Sequence, residues 1–226
     1  MKPIYIKWTG GVDEQEYGIG VSTALELYRL AYATARRRGF LPLPAEIRAF
    51  GNWMVPGIPQ DAPYWSTYWY VSESYSSQTG RLVAPRYLDA IREEPWQRSH
   101  PHYDLAMTEF DLVVSEKARE DEYTLGWVLE GIGTIVSVIR VRFALEGEKR
   151  LLAIRRLVAH HLARAIRTPY AGEREFCSNV CALRPATTTE ELAALALEEW
   201  QAGVLLCPQC QEELLDALLV AERPPN

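Results

Sequence analysis

All four cysteines of the chain lie in its last quarter, Cys177 and Cys181 with three residues between them and Cys207 and Cys210 with two. This feature restricts the fold most, because two close thiol pairs separated by 25 residues can be folded back into one tetrahedral all-thiolate metal site. Cys207-Pro208-Gln209-Cys210 reads as a knuckle whose proline tightens the turn. The stretch between the pairs reads as a helix opened by Thr188 or Thr189 and continuing through Glu190-Glu191-Leu192-Ala193-Ala194-Leu195-Ala196-Leu197. One structural Zn2+ is expected at the four sulfurs, and four thiolates leave it no open position for a reacting water. Two other readings stay open: a redox pair at Cys207 and Cys210, or four unconnected thiols.

Upstream, the pattern is that of an α/β fold. Ile4-Tyr5-Ile6-Lys7-Trp8 reads as a strand and Gly10-Gly11 as a turn into a helix over residues 13–38, with an apolar stripe of Val21, Leu25, Tyr28, Leu30 and Tyr32. Arg36, Arg37 and Arg38 suit the C-terminal end of its dipole, and Gly39 ends it. Glu46-Ile47-Arg48-Ala49-Phe50 follows as a second strand, so the opening predicts a parallel strand–helix–strand unit. Residues 51–80 are rich in Pro, Ser and aromatics, and read as a long connection anchored by its rings or as a cleft wall. A helix is predicted over 85–91, one or two strands within 103–114, and further strands over 125–129 and 134–141.

The clearest helix covers 148–167. Ile154, Leu157, Val158, His161, Leu162, Ala165 and Ile166 share its apolar face, which makes His161 a core histidine. Arg156, His160, Arg164 and Arg167 form a second, cationic stripe. Facing a cleft it would suit a carboxylate or a phosphate; facing solvent it is a basic surface near a helix C-terminus.

With 48% hydrophobic and 24% charged residues, the 226-residue chain is expected to fold as a single domain, 1–226, of which 177–226 is a zinc-stabilised C-terminal segment. A net charge of -6 offers no general attraction to phosphate backbones, so no nucleic-acid partner is expected. No apolar run reaches the ~18–20 residues of a membrane span, and Met1-Lys2-Pro3-Ile4-Tyr5 enters a strand directly, so no membrane association and a cytoplasmic location are expected.

The order of parts resembles the archaemetzincin family of zincin-like metallopeptidases. The likeness rests on strands containing Phe110-Asp111-Leu112-Val113-Val114 and Gly126-Trp127-Val128, a β-branched segment ending Arg140-Val141-Arg142, the long helix with His160 near its end, and the two cysteine pairs. It extends from about Ile4 to Cys210. It implies a zincin-like domain with a twisted mixed sheet, an active-site-type helix and a four-cysteine zinc subdomain. The family motif HExxHxxGxxHC supplies three histidines to a catalytic zinc and a glutamate as general base. On this chain His160 matches the first histidine, while His161 stands at the glutamate, Arg164 at the second histidine and Arg167 at the glycine. The third histidine falls at Tyr170 or Phe176, depending on the spacing used. Cys181-Ala182-Leu183 matches a Cys-x-Met step with Leu for Met, and Cys177 and Cys181 stand one residue closer than in the family.

A guanidinium stays protonated and opposes a metal cation, so Arg164 removes a ligand and adds a repulsion. The resemblance thus implies a scaffold that has lost peptidase activity and binds a peptide along a sheet edge, or a small anionic ligand, in the altered cleft. The alternative is an active zinc peptidase with a rearranged site, using His160 with His161, His100 or His102 and with Glu173 or Glu175.

Overall fold

The structure, a computed structural model, describes residues 2–41, 46–59, 62–167 and 176–220. Strand β1 (Ile4–Trp8) buries Ile4 and Ile6 on one face and Lys7 on the other, so the sheet is covered on both sides. Helix α1 (Glu14–Arg37) is opened by a capping box: Asp13 accepts the Glu16 N–H at 2.9 Å and Glu16 accepts the Asp13 N–H at 3.0 Å. Its buried stripe is Gly20, Ala24, Leu27, Tyr28, Ala31 and Ala35, whereas Leu25 and Tyr32 are each 40% exposed. Of the expected stripe, Tyr28 is buried and Val21 and Leu30 pack against the core at its margin, while Leu25 and Tyr32 were misplaced. Small side chains let α1 approach its neighbours closely, and this outweighs the larger hydrophobes.

After β2 (Ile47–Gly51), the aromatic stretch folds into α2 (Thr67–Ser74), β3 (Tyr75–Ser76) and β4 (Arg81–Val83), followed by α3 (Ala84–Arg92) and α4 (Pro95–Ser99). A connection was expected where α2 forms. Ser66 caps it by accepting the Trp69 N–H at 3.2 Å, and Trp69 and Tyr70 are buried. The chain continues through β5 (Tyr103–Thr108), β6 (Leu112–Val113), β7 (Gly126–Leu129), β8 (Gly133–Ser137), α5 (Ile139–Ala144), α6 (Gly147–Arg167), α7 (Thr189–Ala202) and α8 (Pro208–Val220).

The main sheet has the order β2-β1-β5-β8-β7, with the first four strands parallel and β7 antiparallel at the edge; β3, β4 and β6 form a smaller sheet. The fold is thus mixed α/β. One face of the main sheet joins α1, α6 and the four cysteines in a continuous apolar core, and the other packs on α2 and α3 through Tyr70, Tyr87, Leu88 and Ile91. The strand expected over 134–141 stops at Ser137, and Ile139, Arg140 and Val141 are helical. Their β propensity is overridden because the neighbouring β5 ends at Thr108, while Arg140 is drawn to Asp111 (2.7 and 2.5 Å) and Val141 into the core. Among the described residues no helix is long and apolar enough to cross a membrane.

Candidate metal centre and cleft

Local backbone contacts bring the two cysteine pairs together. Thr188 caps α7 by accepting the Glu191 N–H at 3.1 Å, and Gly203, in the left-handed region at φ 66°, ends it and turns the chain back. The Ala182 N–H then donates to Leu205 (2.8 Å) and the Cys177 N–H to Leu183 (3.1 Å), fixing one pair against the other. All four cysteines are buried, and one ligand atom from each lies within 4.8 Å of the others. The Cys177 and Cys207 sulfurs are 3.7 Å apart, far beyond the ~2.05 Å of a disulfide. That separation is close to the ~3.8 Å edge of a tetrahedron with metal–sulfur bonds of ~2.3 Å. Cys181 is prepared as a thiolate: contact with the Cys210 thiol, together with the Cys207 and Leu183 backbone N–H groups, brings it down to about 5 despite burial. Four soft donors at tetrahedral spacing could hold a metal ion.

A cavity of about 620 Å³ opens between β7 and α6, lined by Tyr123, Trp127, His160, His161, Arg164 and Phe176 among others. Its width is set by Gly126. A Cβ there would lie 2.7 Å from His161 Nε2 and 2.9 Å from the Ile135 carbonyl, so only glycine lets the imidazole pack against β7. Beyond β7, the Gly131 N–H donates to the Ala165 carbonyl at 2.8 Å and ties the β7–β8 turn to α6. His160 Nδ1 donates to the Ala182 carbonyl at 2.8 Å, which leaves Nε2 as that ring's acceptor. Burial, helped by the Arg164 and Arg156 charges, pulls His160 down to about 4 and His161 well below its ordinary value. Both rings are neutral near pH 7.

The cationic stripe is neither a solvated surface nor a shared anion site. Arg156 is buried and donates to Glu199 on α7 at 2.9 Å, and also to the Arg184 carbonyl; Arg167 is buried and meets Glu213 on α8 at 2.5 Å. These pairs dock α7 and α8 onto α6. Burial opposes both charges of the first pair, lowering Arg156 and raising Glu199 to about 7. Arg164 lies over the Phe176 ring, 4.9 Å from its centre, at the cleft wall. Tyr170, Glu173 and Glu175 lie outside the described residues.

His100 and His102 do not join His160: His100 lines a separate cavity of about 1100 Å³, and His102 belongs to a second buried group with Glu94 and Asp104. Lys7 sits among these carboxylates, 2.8 Å from Glu94 and 3.0 Å from Asp104. His102 Nε2 is 3.1 Å from Asp104 on their other side, and its Nδ1 donates to the His100 carbonyl at 2.8 Å. Tyr70 donates to Glu94 and Gln97 to Asp104. Burial opposes the Lys7 ammonium, yet Asp104, Tyr70 and Glu94 hold it well above its ordinary value. Likewise burial opposes the Asp104 carboxylate, and Lys7 and His102 bring it down nonetheless. The place a metal would take between the carboxylates is filled by an ammonium. Sequence reading missed this network, although Lys7 alternates with Ile4 and Ile6 in a strand of a parallel sheet, where both faces are covered.

No protein-family model and no curated protein matches the chain.

Proposed function

We propose that this chain is an archaemetzincin-like scaffold of zincin type with one structural zinc at Cys177, Cys181, Cys207 and Cys210, which has lost peptidase activity and binds an extended peptide in the cleft between β7 and α6. The observation that carries this reading is the position of β7, which among the described residues is an edge strand of the main sheet. The Ser137 N–H donates to the Leu125 carbonyl at 2.8 Å, so by the alternation of an antiparallel ladder Leu125, Trp127 and Leu129 turn their peptide groups to β8. Gly126 and Val128 turn theirs outward; the Thr124 hydroxyl takes both groups of Gly126, at 3.4 and 2.7 Å, so Val128 is the residue that offers its N–H and C=O. An extended segment laid along that edge meets a ready hydrogen-bonding partner. Arg164, half-buried at the same wall, favours an acidic side chain or a terminal carboxylate on the peptide.

Hydrolysis is not supported by the side chains in place. Zinc peptidase chemistry needs about three neutral or anionic ligands and a base for the metal-bound water. Among the described residues, His160 and His161 fall in no group of three or more metal-ligating side chains, and a guanidinium follows one turn later.

Fluorescence anisotropy with short acidic peptides tests the cleft. Val128→Pro removes the outward N–H and leaves the ladder to β8, so it should abolish binding and leave metal content unchanged. Binding unaffected by Val128→Pro would refute the edge-strand reading. Hydrolysis of an unstructured protein, abolished by chelator and by His160→Ala, would replace it with the rearranged peptidase.

A further inference from the structure

The opposite edge of the sheet carries a second, independent signal. Among the described residues, β2 has β1 as its only strand neighbour. The Ile4 N–H donates to the Glu46 carbonyl at 2.9 Å, and Ile4 is in register with Ile47, Tyr5 with Arg48 and Ile6 with Ala49. Glu46 and Arg48 therefore spend their peptide groups on β1, while Ile47 and Ala49 point theirs away from the sheet. Ile47–Gly51 contains neither lysine nor proline; it carries Arg48, and its pairing to β1 shifts register between Ala49 and Gly51, so the regular edge runs from Ile47 to Ala49. Glu46 and Arg48 lie on one face, paired with each other at 2.6 Å and each about half exposed. Phe50 (45% exposed) and Trp65 (44% exposed) line the same large cavity as these two side chains.

We propose that two copies of this chain associate through β2, antiparallel about a two-fold axis at Ile47, joining their five-stranded sheets into one of ten strands. Backbone polarity and charge select the register together. Outward-pointing peptide groups must meet outward-pointing ones, so the axis has to pass through a residue and not between two. An axis at Arg48 sets Arg48 against the partner's Arg48, and an axis at Glu46 sets two carboxylates together. At Ala49 the axis leaves Arg48 opposite the partner's Phe50. At Ile47 the axis makes Ile47 and the partner's Ile47 the hydrogen-bonded pair. Glu46 then meets the partner's Arg48, twice by symmetry, in the close non-hydrogen-bonded positions where cross-strand charges interact best. The exposed Glu46–Arg48 pair given up within each chain contributes little in water, so the exchange costs little.

Sedimentation equilibrium on the full, metal-loaded chain should show reversible association toward twice the 25.7 kDa chain mass as concentration rises to about 100 µM. Arg48→Glu places like charges opposite each other and should weaken association by roughly tenfold or more, as should Glu46→Arg. The two variants mixed should associate with each other, because each Arg then meets a Glu. Both changes are on exposed side chains, and an unchanged circular dichroism spectrum and melting temperature control for folding. A wild-type chain that stays monomeric at about 100 µM overturns the proposal, as does association indifferent to Arg48→Glu. Loss in both single variants without recovery in the mixture overturns the Ile47 register.

Discussion

At the cysteine cluster four buried sulfurs converge, and the groups seen to donate to them are neutral amides, the Cys207 N–H to Cys181 at 3.4 Å and the Asn179 side chain to Cys207 at 3.6 Å. On the opposite face of the sheet, Glu94 and Asp104 are buried just as fully, but Lys7 lies between them at hydrogen-bonding distance and His102 on their far side. The first centre could take a cation from outside; the second carries one in its own sequence. Spacing of potential ligand atoms does not separate the two, since both groups fall within 4.8 Å. What separates them is whether the charge is already balanced. Metal dependence should thus be confined to the C-terminal side of the molecule.

Stripping the metal is the harshest way to test that difference. Structural zinc in small thiolate sites contributes on the order of 10 kcal/mol, and here it would join Cys177 and Cys181 to the turn before α8. Cys207→Ser, or a strong chelator, should remove the bound metal and release α7 and α8 from α6, seen as lost hydrogen-exchange protection in both helices. The Lys7 side should retain its protection. Full metal content and an unchanged melting temperature in Cys207→Ser would remove the site.

Lys7→Met asks the converse question. It keeps the bulk of the side chain and leaves the two buried carboxylates with His102 and the neutral donors Tyr70 and Gln97, so stability should fall by about 3–5 kcal/mol. Changing Glu94→Gln and Asp104→Asn in the same chain should recover most of that loss. A fall below about 1 kcal/mol would mean that His102 is a sufficient partner. Zinc added to Lys7→Met sharpens the comparison, because uptake of a second equivalent would show that only the ammonium keeps metal from this site.

The histidines on α6 provide a third difference, in acid. Unfolded, His160 takes a proton near pH 6.5; folded, burial first and the Arg164 and Arg156 charges second hold it to about 4. A depressed histidine favours the folded state above the unfolded value and loses that contribution as pH falls, so about 3 kcal/mol should disappear between pH 6.5 and 4. His160→Gln should remove close to one proton from the slope of stability against pH in that window. An unchanged slope would mean that His160 is protonated in the native state.

Legibility from sequence followed the range of the interactions. The cysteine pairs, the Asp13 and Thr188 caps and the β1–α1–β2 opening depend on neighbours within a few residues, and their chemistry is visible there. The basic stripe of α6 was read correctly as a stripe but not for its use, because Glu199 and Glu213 stand 43 and 46 residues away from their arginines. Local propensity named Ile139–Val141 a strand, and the end of β5 together with the Arg140–Asp111 pair made it a helix. Gly126 was read as one residue of the strand over 125–129, with no role of its own; that role appears once His161 from α6 is seen 2.7 Å from its missing Cβ.

The smallest expected effect separates binding from folding at the cleft. Arg156 and Arg167, both buried, hold α7 and α8 in place through the buried Glu199 and the partly exposed Glu213, so truncating either costs stability whatever the cleft binds. Arg164 differs in position, half-buried at the cavity wall over the Phe176 ring. Arg164→Ala removes the cation–π contact with Phe176, which by itself contributes about 0.5–1 kcal/mol, and any larger stability loss reads its other partners. In the same variant an acidic peptide should bind roughly fivefold more weakly, and its neutral amide analogue should be unaffected. Equal loss for both peptides would assign Arg164 to shaping the wall. No loss for either would leave β7 as the source of affinity and remove the anionic group from the ligand description.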